Sequence, residues 1–198
     1  MASTSYATYI ISLLEAKNTS LKVIAYHRTK SLKTLANVLQ PEVREDGARA
    51  LYLTYDLESQ LNRRMISIYG KILVRFTVSI SKILVFDKQF LKEKYGEIIP
   101  LTTQWKNAVS SVREDDLSFI KSLDDVWFNS KNLYLSGPVK ALFRHFNPSY
   151  LASLGIDGVL FAGSLDGKVL VLFDMKKAKP VDYSISSNPQ DVLQWKSV

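Results

Sequence analysis

The chain has 198 residues, a mass of 22.4 kDa, 46% apolar residues, 23% charged residues and a mean hydropathy of −0.02. This composition suits one sizeable core in a single domain over 1–198 and excludes a disordered or low-complexity chain. Cysteine is absent and His27 and His145 are the only histidines, which excludes a disulfide framework, a thiol nucleophile and thiolate zinc sites, so no metal is expected. The net charge of +7 is unevenly spread: residues 1–99 hold 15 basic against 9 acidic side chains, a balance of +6, and residues 100–198 hold 11 against 10, a balance of +1. A positive field in the first half can attract a polyanion, such as nucleic acid or the pyrophosphate of a dinucleotide.

Tyr6, Tyr9, Ile10, Leu13 and Leu14 recur at helical spacing and predict a first helix ending near Asn18. Leu21–Tyr26 alternates as a strand that ends at His27, and Ser31 is placed to cap a short helix through Leu32, Leu35, Ala36 and Leu39, stopped before Pro41. The polar stretch Glu42–Arg49 reads as a loop. Ala50–Thr54 predicts a second strand. Asp56 is suited to cap one helix in which Leu57, Leu61 and Met65 recur every four residues and which stops before Gly70. Lys71–Val78 alternates as a half-buried strand and Ile83–Phe86 as another.

From Lys88 to about Tyr150 the pattern is helical, an insertion between the strand-rich ends. Asp115, Asp116, Asp124 and Asp125 fall within it and read as a solvated helix face rather than as a paired acid and base. His145, beside Arg144 at a helix end, reads as structural. Gly158–Gly163 and Lys168–Phe173 flank Asp166-Gly167 as a hairpin, and Pro180–Ile185 reads as a final edge strand with the proline at its start. The segment from Gly163 to Lys168 only superficially resembles a phosphate loop. Its glycines are separated by three residues, and Val169 stands where a magnesium-binding hydroxyl is needed. Strands at both ends with helices between, without regular βαβ alternation, predict an α+β fold with mainly antiparallel sheets.

Three segments then resemble the motif strands of the ADP-ribosyltransferase fold, the family of diphtheria-type toxins and poly(ADP-ribose) polymerases. They are Ala25-Tyr26-His27-Arg28-Thr29, Ala50-Leu51-Tyr52-Leu53-Thr54-Tyr55-Asp56, and Ile156–Val159 followed by Lys168–Asp174 and Lys179–Tyr183. Their order and spacing cover nearly the whole chain. The resemblance implies a core of two packed, mainly antiparallel sheets with flanking helices, and NAD as substrate. It assigns His27 to the ribose hydroxyl, the Arg28 backbone to the nicotinamide amide, Thr29 to the strand end, Tyr52 to stacking on the nicotinamide ring, and Tyr55 to the cofactor's surroundings.

Two departures accompany it. Arg28 replaces the family's glycine, and Val169 falls where the catalytic glutamate is expected, with no Glu beyond Glu114. His27, Tyr52 and Val169 therefore resemble the His-Tyr-hydrophobic subgroup, whose members transfer single ADP-ribose units or have lost activity. Two functions follow: a mono-ADP-ribosyltransferase acting on a host protein acceptor, or a non-catalytic interaction or virion component whose basic surface binds nucleic acid or another subunit. The motifs resemble those of viral and phage members. No 18-residue apolar run occurs and no basic stretch precedes Tyr9-Ile10-Ile11, so no membrane partner is expected, and the expected location is cytoplasmic, meaning host cytoplasm or virion for a viral product.

Overall fold

The computed structural model describes residues 21–31, 42–43, 49–130, 136–163 and 167–198. The two helices expected around Tyr6–Leu14 and Leu32–Leu39 lie outside the described residues. The strands are β1 (Leu21–Thr29), β2 (Glu42–Val43), β3 (Arg49–Thr54), β4 (Ile72–Ile80), β5 (Ile83–Val85), β6 (Gly158–Gly163), β7 (Gly167–Leu172), β8 (Ala178–Ile185) and β9 (Lys196–Ser197). The helices are α1 (Leu57–Gln60), α2 (Arg63–Tyr69), α3 (Lys88–Tyr95), α4 (Leu101–Ala108), α5 (Glu114–Asn129), α6 (Ser136–His145) and α7 (Pro148–Ser153). The class is α+β.

The strands hydrogen-bond in the order β5-β6-β7-β3-β1-β4-β8-β9, with β2 paired to β3, and only β5 and β6 run parallel. β1 and β4 share nine registered pairs, from Leu21–Ile80 to Thr29–Ile72, whereas β1 and β3 share one, Tyr26–Thr54. Where two packed sheets were expected, there is one path whose halves, β5-β6-β7-β3 and β1-β4-β8-β9, join at that single pair. Alternation along β1 and β4 puts Val23, Ala25, Val74, Phe76 and Val78 on one buried face. The helical middle covers the other half, burying Trp105 and Trp127 with Phe86, Ile120 and Leu142 in the same core.

Several expectations need correction. Glu42-Val43 is not loop but pairs with Ala50 and Arg49. The helix expected from Asp56 to Gly70 is two helices. The Asp56 carboxylate caps α1, but Asn62 adopts an extended conformation and its side-chain oxygen accepts from the Met65 amide at 2.8 Å, starting α2 afresh. Pro180 lies inside β8, where the register shifts so that Phe76 faces Pro180 and Arg75 faces Asp182. The irregular pairing tolerates the missing amide. β8 is not an edge, because β9 pairs beyond it at Asp182 and Tyr183.

The helical carboxylates divide. Asp115 and Asp125 are exposed, but Asp116 and Asp124 are buried. Asp124 accepts from the Thr102 amide and hydroxyl at the start of α4, and Asp116 accepts from the Tyr150 hydroxyl at 2.8 Å. Each is a structural acceptor, as an acidic side chain at a helix N-terminus should be. At the far edge, the Gln104 side chain donates to the carbonyl of Val85 and accepts from its amide, so the outer rim of β5 is closed.

Candidate functional site at the strand seam

The ends of the three motif strands lie side by side, in the order β7-β3-β1. The ladder between β1 and β3 stops after Tyr26–Thr54, and the next link is made by a side chain: His27 Nδ1 lies 2.9 Å from the Tyr52 carbonyl oxygen. A carbonyl only accepts, so Nδ1 carries the proton, and the imidazole stands where a ladder amide would otherwise bond. The histidine is half-buried.

Counting from the Tyr26–Thr54 pair, alternation carries Tyr52 to the side of Arg28, and His27 to the opposite side of β1. The His27–Tyr52 contact is therefore side chain to main chain. Tyr52 and Tyr55 are both half-buried and pack against the core. Tyr55 also donates its amide to the Lys168 carbonyl at 3.2 Å. That carbonyl is shared with the Thr54 hydroxyl at 2.9 Å, which ties the end of β3 to the start of β7. Thr29 is buried, and its hydroxyl accepts from the Ser31 amide and donates to the Ser31 carbonyl at 3.4 Å.

Arg28 is 3% exposed. Its guanidinium donates to the Gln60 carbonyl at 2.6 Å, the Gly70 carbonyl at 3.1 Å and the Ser186 hydroxyl at 3.0 Å. Burial pushes its pKa down to about 10, so the group still carries its charge at neutral pH. Gly70 admits this arrangement. Its φ is +114°, and a Cβ placed there would lie 2.4 Å from the Thr29 carbonyl oxygen. Sequence reasoning missed Gln60, Gly70 and Ser186 as partners. The first two accept through main-chain carbonyls at helix ends, which any residue could supply; the usable signal was an arginine near the end of a strand that is apolar over Val23–Ala25.

Val169 is 3% exposed on β7, registered opposite Thr54 on one side and Phe161 on the other. The hairpin ladder runs to Gly163–Gly167. Gly167, at φ +66°, is thus the first residue of β7 rather than part of the tip, and residues 164–166, including Asp166, lie outside the described residues. Gly167 is also held close to the cap of α1, where an added Cβ would meet Asp56 Oδ2 at 2.9 Å.

Asp157, from the third motif, is a buried anchor. It accepts from the Ser81 hydroxyl and the Ser81 and Lys82 amides, and pairs with Lys177. Burial alone would raise its pKa, but the bonds from Lys177, Ser81 and Lys82 together hold it below the usual aspartate value. His145 stacks on Phe119 with ring centroids 3.7 Å apart. No group of three or more metal-ligating side chains occurs among the described residues, and none of their helices is long and apolar enough to cross a membrane.

The residues fit NAD poorly where the resemblance needs the closest approach. A side chain continues from Arg28 into the packing under α1 and α2, and an apolar Val169 offers nothing to polarise a ribose hydroxyl. Comparison with protein-family models, with curated proteins and with solved structures finds no match to this chain.

Proposed function

We propose that this chain is an ADP-ribosyltransferase-like domain that acts as a non-catalytic interaction module, binding nucleic acid or another subunit through its basic surface. The observation that carries the reading is the pair of departures at the strand seam: a buried valine at the expected carboxylate position, and a guanidinium sealed by three acceptors at the glycine position. Cleaving the bond between nicotinamide and ribose builds positive charge on the sugar, and a placed carboxylate contributes several kcal/mol to such a transition state. Val169 contributes none of it.

The rival reading is an NAD-binding mono-ADP-ribosyltransferase that modifies a protein acceptor. It is favoured by the side-by-side motif strands, although the 2.9 Å contact joins His27 to the Tyr52 main chain and not to its ring. Calorimetry with NAD, alongside nicotinamide release, separates the two. The interaction reading expects no heat of binding and no nicotinamide. A saturable NAD isotherm accompanied by turnover overturns it.

A further inference from the structure

A groove of about 780 Å³ opens where β1, β4 and β8 end beside α2, lined by Lys30, Arg63, Ile66, Ser67, Lys71 and Asn188 among others. Arg63 and Ser67 are one turn apart and, with Gly70 at the C-cap, make the α2 wall. Gly70 has no Cβ to hold α2 away from the Thr29-Lys30 backbone. Lys71 is fixed on the other side, its carbonyl accepting from the Ser186 amide at 2.9 Å.

Among the described residues, no carboxylate lines the groove. The Asp191 carboxylate adjoins the Ser187-Asn188 wall without being part of the lining, and its Oδ2 accepts from both of those amides at 2.6 and 2.9 Å. Elsewhere the described structure pairs its converging charges, Arg75 with Asp182 and Lys177 with Asp157. Lys30, Arg63 and Lys71 make no ion pair among the described residues, and all three are exposed. Bringing three like charges to one concave surface raises its potential and favours a polyanion there. The described lining holds no aromatic ring and so offers no platform for splayed bases, and its hydroxyl, amide and cationic groups suit phosphate oxygens instead.

From this we infer that the groove binds the phosphodiester backbone of duplex nucleic acid, without base readout, through Lys30, Arg63 and Lys71. The inference rests on the interaction reading above and gives that reading a place on the molecule.

The test is fluorescence anisotropy of a labelled DNA duplex of about twenty base pairs, with the unaltered full chain and with Lys30→Gln/Arg63→Gln/Lys71→Gln. A control, Lys106→Gln/Lys121→Gln/Lys140→Gln, removes the same charge from the exposed surface of α4, α5 and α6. Circular dichroism confirms that each variant folds. The groove variant should bind at least tenfold more weakly than the control. The slope of log affinity against log salt should fall by about 3 for three lost contacts. Equal losses in both variants would reduce the effect to net charge and overturn the groove, as would displacement of the duplex by an equal concentration of ADP-ribose. No duplex binding by the unaltered chain also overturns it. NAD calorimetry is read separately, so a failed groove and a failed non-catalytic reading remain distinguishable.

Discussion

The His27 ring donates to the Tyr52 carbonyl at the point where the β1–β3 ladder ends. One side chain therefore extends a seam that the main chain holds with a single residue pair. Replacing His27 by Ala removes that donor and leaves a half-buried carbonyl to be met by water. The expected loss is about 1 kcal/mol of unfolding free energy, measured by urea denaturation. An unchanged midpoint would mean that the imidazole does not hold the seam.

Arg28 presents a larger case. Arg28→Ala would leave the Gln60 and Gly70 carbonyls and the Ser186 hydroxyl without their donor and open a void under α1 and α2. A loss of about 3 kcal/mol is expected. Arg28→Lys should recover only part of it, because a single ammonium cannot reproduce the planar fork that reaches three acceptors. Full recovery by lysine would show that charge alone matters there.

Asp157 sets an acid limit on stability. Its folded pKa lies below the ordinary aspartate value, so its stabilising contribution is complete above the unfolded value near 3.9 and disappears as pH falls through the lower folded value. Unfolding free energy measured by urea denaturation across that window should drop more steeply for the unaltered chain than for Asp157→Asn. The variant should also be less stable at neutral pH, where it loses the ion pair with Lys177. Parallel acid profiles would remove Asp157 as the cause.

Short-range pattern exposed the strands well: alternation in Leu21–Tyr26 and Lys71–Val78, the Asp56 cap, and the hairpin strands around Gly167 are features of neighbouring residues. What it concealed depends on distant partners or on a local rule masked by a stronger period. Leu57, Leu61 and Met65 keep a four-residue spacing straight across the break at Asn62. Asp124 and Asp116 fall on a helix whose sequence looks solvent-facing, and only their bonds to Thr102 and Tyr150, 22 and 34 residues away, explain their burial. At the seam, the two strands that carry His27 and Tyr52 were legible, but the expectation that both side chains share one face was not met. The side each one takes was set by the Tyr26–Thr54 register, which no local motif encodes.

Val169→Glu brings the stability and chemistry of the seam into one measurement. Val169 is packed between Thr54 and Phe161 positions in adjacent strands, so a carboxylate there loses water, its pKa rises, and its extra volume strains the core. The interaction reading expects a loss of about 2–4 kcal/mol and no nicotinamide release from NAD, because Arg28 still fills the packing beneath α1 and α2. Val169→Gln, equal in size and uncharged at every pH, separates the cost of volume from that of charge. Its stability should vary less between pH 5 and 8 than that of the Glu variant, whose unfolded carboxyl ionises more readily than the buried one. Nicotinamide release by Val169→Glu, absent from Val169→Gln, would mean that the seam still seats NAD beside His27 and Tyr52, and would return the chain to the transferases.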